Sequence, residues 1–314
     1  VNSANNKTDV IIIGAGPAGI TAAVQLKRME IDFVLIEKNI PGGLVRNANC
    51  IENYPGFPGG ITGQKFASLL RHHLKKQDIE ITKEQVLFVD FEDNEFILRA
   101  DSQVFRSEYL IIASGTNPNT YNDIAIQQAA NQFIIPEIAC LPKLKYVRND
   151  FEPIFAIIGS GDAAFDYALN LARHDLRSDI FMRSEKCKAL PKLIDKADEN
   201  DFAFLINIHK NYKLESVSLN EKHNYDNQTI KLTFDNNGNI VEHICNYLLF
   251  AIGRQPNQGF LTRAFIPKIV ELEQSKRLFF AGDVKNKNDR QLSIAVGDAM
   301  KAAMTIYHEL FPYG

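Results

Sequence analysis

Ile11-Ile12-Ile13-Gly14-Ala15-Gly16-Pro17-Ala18-Gly19 decides the fold: an apolar run, a Gly-x-Gly-x-x-Gly turn and the opening of a helical pattern. Val10–Ile13 carries no polar side chain, as befits a strand in the middle of a parallel sheet. Pro17 falls in the first turn of the following helix, where its missing N–H costs nothing. The first glycine permits a tight turn, the second lets backbone approach a pyrophosphate, and the third lets helix pack on sheet. The helix N-terminus attracts the phosphates. Glu37 ends the next strand pattern, 23 residues after Gly14, where an acid bonds ribose hydroxyls. Ala15, Pro17 and Ala18 complete the phosphate turn, and Lys38 stands beside Glu37.

The same design recurs. Asp9–Arg28, "DVIIIGAGPAGITAAVQLKR", matches Ile154–Arg173, "IFAIIGSGDAAFDYALNLAR". A second pair follows in the same order: "SEYLIIASGT" from Ser107 and "CNYLLFAIGR" from Cys245, each a buried strand ending in glycine. The spacing from Gly14 to Gly115 is 101 residues, and from Gly159 to Gly253 it is 94. Two ordered pairs at like spacing imply two related dinucleotide-binding units. The chain is therefore expected to be α/β, with two Rossmann-like three-layer domains. In the second fingerprint (Gly159, Ser160, Gly161, Asp162, Ala163) the third glycine is replaced by Ala164. The strand after it, "DIFMR", ends in Arg183 where the first unit has an acid. Arginine there favours a 2′-phosphate, hence NADPH over NADH, with Lys188 adding charge. Alternatively both are solvated surface cations, and Glu185, close to Arg183, leaves NADH open.

Residues 38–62 are rich in glycine and proline without a clear period, and read as a long functional loop. Gln64–Lys76 reads as an amphipathic helix with Phe66, Leu69, Leu70 and Leu74 on one face. His72 and His73 fall on its polar side. Residues 79–112 alternate as strands with a turn near Asp93-Asn94. The tail is a strand, a loop carrying Asp283, and a long helix preceded by Arg290 and Gln291.

Several classes fall away. Net charge is −3, which gives no nucleic-acid footprint. No apolar run reaches the length of a membrane helix, and the first ten residues lack the apolar core of a secretory signal. The four cysteines, Cys50, Cys140, Cys187 and Cys245, are each more than ten residues from the next, so no local redox pair or tight zinc cluster exists. Scattered cysteines suit a reducing compartment, and a cytoplasmic location is expected.

"IIIGAGPAG", "IENYPGFPGGITG", "IIASGT", "AIGRQPN" and "FFAGDV…RQ" together resemble the thioredoxin reductase-like pyridine nucleotide–disulfide oxidoreductases over nearly the whole chain. The resemblance implies an FAD-binding domain of residues 1–117 and 255–314, an NAD(P)H-binding domain of residues 118–254 inserted in it, and a homodimer. By position it implies FAD contacts from Gly14, Gly16, Gly19, Glu37, Gly43, Leu44, Asn53, Val86 (at the adenine), Ala113, Gly115, Asp283, Arg290 and Gln291. For NADPH it implies Gly159, Ser160, Gly161, Arg183 and Lys188. Leu44 stands where such proteins commonly have glutamine. The tail ends soon after Phe311 and Tyr313, so no intramolecular cover for the flavin is expected from it.

One departure bears on chemistry. Thioredoxin reductases carry Cys-x-x-Cys shortly before the second glycine motif. Here that segment reads "CLPK", with Cys140 near the first place and Lys143 at the second. Transfer from NADPH to FAD needs only positioning. Onward transfer through an internal dithiol is lost, because a lone thiol cannot store two electrons as one intramolecular disulfide. The leading expectation is an oxidoreductase passing electrons to a ferredoxin- or flavodoxin-type acceptor. A single-cysteine reductase using Cys50 or Cys140, and a non-enzymatic redox sensor, are the alternatives.

Overall fold

A computed structural model describes residues 6–119, 121, 123–138, 153–199, 201–220 and 229–312. In chain order the strands and helices are β1 (Asn6–Ile13), α1 (Pro17–Arg28), β2 (Phe33–Ile36), α2 (Gly63–Lys76), β3 (Val86–Glu92), β4 (Glu95–Ala100), β5 (Val104–Ile112), β6 (Thr116–Pro118), β7 (Ala125–Ile126) and β8 (Ile134–Ile135). Then come β9 (Ile154–Ile158), α3 (Asp162–Ala172), β10 (Arg177–Met182), α4 (Pro191–Ala197), β11 (Ile206–Lys210), β12 (Lys213–Leu219), β13 (Ile230–Asn236), β14 (Asn239–Cys245) and β15 (Tyr247–Phe250). The chain closes with β16 (Arg254–Pro256), α5 (Ile269–Gln274), β17 (Leu278–Phe280) and α6 (Leu292–Leu310). They divide into two compact units. The first is Val1–Arg46, Cys50–Asn117 and Gln255–Gly314, and the second is Asn47–Asn49 with Pro118–Arg254.

In the first unit the sheet order is β2-β1-β5-β4-β3, with β17 also pairing β5. β1, β2, β5 and β17 are parallel, whereas β3 and β4 form an antiparallel extension. One edge of β5 serves two partners: Val104–Ser107 pairs β4 and Leu110–Ile112 pairs β17. The central strand is apolar because both faces are covered. Val10 and Ile12 pack with residues of α1 and α6, and Ile11 and Ile13 pack with Phe96, Leu98 and Phe265 on the other side. Each fully buried side chain there is worth roughly 1.5–3 kcal/mol. The turn between β3 and β4 is built on Asp93 and Asn94, both at positive φ (50° and 66°), which these residues tolerate best after glycine.

The second unit repeats this plan with changes. Its parallel sheet runs β11-β10-β9-β15-β8. Phe155 and Ile157 of β9 join the cluster under α3 and α4, while Ala156 joins the opposite one with Phe181 and Phe234. The antiparallel strands β12, β13 and β14 lie outside the main sheet in their own, β14-β13-β12-β7, where β7 pairs β12 in parallel. Residues 47–49 pack in this unit: the Asn49 N–H donates to the Asp166 carboxylate (3.1 and 3.2 Å), and Asn170 Nδ2 donates to the Asn47 carbonyl (2.7 Å). The two chain crossings, β6 and β16, pair as a two-stranded ribbon.

α2 corrects one sequence expectation. Phe66 and Leu74 are buried, but Leu69 points outward, 46% exposed. It lies four residues from Lys65, three from His72 and seven from Lys76, on the face they share, rather than on the arc of Ala67, Leu70 and Leu74.

Candidate functional site

Both glycine turns are forced by the same contact. Gly14 has φ +99°, and a Cβ there would lie 2.5 Å from the Ala113 carbonyl oxygen. At Gly159 the counterpart is 2.5 Å from the Ala251 oxygen. Gly14 N–H donates to Ile36 O (2.8 Å) and Gly159 N–H to Phe181 O (3.1 Å). Ala113 N–H donates to Ile13 O and Ala251 N–H to Ile158 O, both at 2.8 Å. The repeat read in the sequence is thus a repeat of hydrogen bonds. Gly16 and Gly161 are the N-caps of α1 and α3, and neither helix has a side chain capping its first turn. Those N–H groups are the donors an anionic pyrophosphate requires.

In the first unit, Glu37 is fixed by the phosphate turn and its own loop: its carboxylate accepts from Ala15 N–H and Asn39 N–H, both at 2.8 Å. Gly14, Glu37, Lys38 and Val86 line one cavity of ≈330 Å³ together with Glu84, Gln85, Ser114, Asn117, Asn257 and Phe260. Sequence reasoning missed the last six. Asn257 is the organiser among them. Its carbonyl accepts from Ser114 Oγ (2.7 Å), its N–H donates to Gly115 O (3.0 Å), and its Oδ1 accepts from Asn117 Nδ2 (3.0 Å). The only sequence signal was its place in "GRQPN", a run already marked by resemblance.

Gly43 presses on the phosphate turn, its would-be Cβ 2.9 Å from the Gly16 Cα. Leu44 follows in the same short helical turn, Gly43–Asn47. Asn53 and Gln291, distant in sequence, meet: Asn53 Nδ2 donates to Gln291 Oε1 at 2.8 Å. Gln291 is the N-cap of α6, next to Arg290. Asp283 sits half-buried in a turn between buried Gly282 and Val284. Asp298, not singled out from the sequence, holds that turn: it accepts from Gly282 N–H (3.2 Å), Asn286 Nδ2 (2.5 Å) and Lys285 Nζ (3.1 Å). The cradle of glycines, the helix terminus without a side-chain cap and the cavity bounded by Glu37 and Val86 fit a dinucleotide.

In the second unit, residues 183–190 fold over the glycine turn. Lys188 N–H and Cys187 Sγ both donate to the Ser160 carbonyl (2.7 and 3.4 Å), and Asp162 Oδ1 accepts from Leu190 N–H (2.8 Å). Ala163 lies exposed in the first turn of α3. Arg183 and Lys188 are exposed and make no ion pair among the described residues. Glu185, the residue that left NADH open, makes its contacts away from Arg183. It binds Lys210 Nζ and Asn211 Nδ2 instead, each at 3.1 Å, so its charge is turned to the next strand.

The cysteines divide by environment. Cys50 Sγ rests where a Gly60 Cβ would be (2.6 Å), beside the Ile51–Ile61 bridge, and so is a packed side chain at the base of the 51–61 loop. Burial pushes the Cys245 thiol far above its usual range, which removes it as a nucleophile. Cys50, Cys187 and Cys245 are all free thiols. Cys140 and Lys143 lie outside the described residues. No metal-holding group of three or more His, Cys, Asp or Glu occurs among the described residues, and no helix there is long and apolar enough to cross a membrane.

Comparison with known proteins agrees with this geometry. Residues 8–301 match the pyridine nucleotide-disulphide oxidoreductase family. The chain is 28% identical over 320 residues to a thioredoxin reductase of Chlamydia trachomatis, covering 94% of this chain and 96% of that protein. It is also 28% identical over 307 residues to a glucosaminate ammonia-lyase of Pseudomonas fluorescens (94% and 93% covered). The solved thioredoxin reductase of Lactococcus lactis has the same fold, with a TM-score of 0.78 over 96% of this chain and 98% of that one at 24% identity. The chain belongs to the pyridine nucleotide-disulphide oxidoreductase family, and it is a thioredoxin reductase-like, FAD-dependent NAD(P)H oxidoreductase.

Proposed function

We propose that the enzyme oxidises NADPH and delivers the electrons to a small one-electron carrier, an iron–sulfur protein or flavodoxin, without a dithiol of its own. The observation that carries this reading is the absence of any Cys-x-x-Cys or Cys-x4-Cys from the sequence. Relatives are named thioredoxin reductase, but another at the same 28% identity is named for an ammonia-lyase, so likeness at this level spans different reactions. Bound FAD accepts two electrons together and can release them singly. One NADPH oxidised to NADP⁺ then reduces two one-electron carriers and releases one proton.

In this reading the first unit holds FAD. The α1 N–H groups take the pyrophosphate, Glu37 the ribose, Val86 the adenine, and Asn53, Asp283, Arg290 and Gln291 the far end. The second unit holds NADPH, with Arg183 and Lys188 at the 2′-phosphate. Arg183 is favoured for that role because Glu185 is engaged elsewhere. A homodimer and a cytoplasmic location belong to the same proposal.

Two measurements test it. Anaerobic protein mixed with NADPH should lose its flavin absorbance within seconds, and a flavin that stays oxidised for minutes would refute the first half. A Cys50→Ser, Cys140→Ser, Cys187→Ser variant should keep its turnover with the carrier. Loss of turnover at full flavin content would favour the single-thiol reductase.

A further inference from the structure

We infer that the outer face of α2 is the docking surface for the acceptor, and that this acceptor is an acidic protein. The inference rests on the carrier reading above. Along Gly63–Lys76, Lys65, Leu69, His72 and Lys76 recur at spacings of four, three and four residues, which places them in one stripe. All four are exposed, and Lys75 and His73 flank the stripe, exposed as well. The helix contains Lys65, Arg71, Lys75 and Lys76 and no acidic residue, in a protein whose 38 acids outnumber its 35 lysines and arginines. Lys65, Lys75 and Lys76 make no ion pair among the described residues, in contrast to Lys7, Lys210, Lys231, Lys268, Lys276 and Lys285.

The centre of the stripe is apolar. Leu69 is 46% exposed, and Ile40, 55% exposed, precedes Pro41, whose carbonyl accepts from Arg71 Nη1 at 3.0 Å. An apolar centre ringed by unpaired charge of one sign is the anatomy of a transient protein interface. The stripe spans about 16 Å of helix, a scale suited to a small partner. Its sign requires carboxylates opposite. A second copy of this chain is disfavoured, because a two-fold contact would set this cationic face against itself.

The location suits electron delivery. Gly42 packs on Ala67 of α2, with a would-be Cβ 2.7 Å from the Ala67 Cβ, and Gln64 Nε2 donates to the Arg46 carbonyl (3.1 Å). α2 is therefore bound to the 42–46 turn whose Gly43 touches the phosphate loop at Gly16. A carrier seated on α2 stands over the element that closes the proposed FAD site.

The test uses the holoenzyme, NADPH, and a purified acidic flavodoxin as carrier, with a small uncharged quinone as control acceptor. In Lys65→Glu/Lys76→Glu, KM for flavodoxin should rise about tenfold while flavin content and quinone reduction stay as in the parent. The parent's KM should climb with ionic strength and the variant's should not. Leu69→Ser should raise KM several-fold without changing the salt dependence. An unchanged KM and salt slope, with flavodoxin still reduced, would overturn the docking site and leave the carrier reading standing. Quinone reduction without any flavodoxin or ferredoxin reduction would overturn the carrier reading, and the docking site with it. Tighter retention on anionic vesicles or duplex DNA than on flavodoxin at equal salt, or a dimer lost in the double variant, would also overturn it.

Discussion

Gly19 and Ala164 hold the same place in the two repeats, yet only one site has room for a methyl group. A Cβ at Gly19 would lie 1.7 Å from the Gly14 oxygen. Ala164 is accommodated and fully buried. Gly19→Ala should therefore cost flavin retention and folding yield together. Gly161 is the informative contrast: its backbone is extended and nothing lies within 4 Å of its missing Cβ. Gly161→Ala should change stability by less than about 0.5 kcal/mol in thermal unfolding. It should still raise KM for NADPH about tenfold, because in the proposed NADPH site the new methyl meets the nucleotide rather than the protein. Asp166 supplies a pH signature. Burial raises its carboxyl from 3.8 to about 6, against the opposing Asn49 N–H. The folded state thus holds the proton more tightly than the unfolded one. Stability is undiminished below about pH 4, falls as pH rises towards 6, and is lower by up to about 3 kcal/mol above that. Asp166→Asn should unfold at higher temperature than the parent at pH 8 and at the same temperature at pH 4. Equal differences at both pH values would refute the assignment.

At the scale of elements, the proposed seat of cofactor preference is the loop from Arg183 to Leu190. Arg183→Ala/Lys188→Ala should raise KM for NADPH by about an order of magnitude and leave KM for NADH within about twofold, measured by steady-state flavin turnover. The strands, glycine turns and helices of both repeats were legible in the sequence because backbone geometry admits few residues there: Gly14 and Gly159 sit against carbonyl oxygens, and Asp93-Asn94 at positive φ. What could not be read depended on contacts far apart in the chain. Leu69 looked like core because Phe66 and Leu70 are, and only packing shows which arc of α2 meets α1. Glu185 was the acid that kept NADH open, and its partner could not be read locally: parallel pairing of β10 with β11 brings Lys210 beside it. Asn257 and Asp298 organise the candidate site through hydrogen bonds to residues 143 and 16 positions away, which no local pattern reveals.

For the whole molecule, the two crossings matter most. β6 and β16 pair, so the ends left by removing residues 119–253 are neighbours. A chain in which a short Gly-Ser linker replaces that segment should fold, retain FAD with its visible spectrum, and fail to be reduced by NADPH. A colourless product would show that the first unit depends on the second. The shared edge of β5 carries a different consequence, for synthesis. The second unit, residues 118–254 with only 47–49 apart from them, is almost contiguous and can fold as soon as it leaves the ribosome. The first unit cannot: the half of β5 at Leu110–Ile112 waits for β17, and the face of α1 waits for α6, both near the end of the chain. The earlier-made unit is the later one to close, and its apolar strands stay uncovered for most of translation. That interval is when this protein most needs a chaperone.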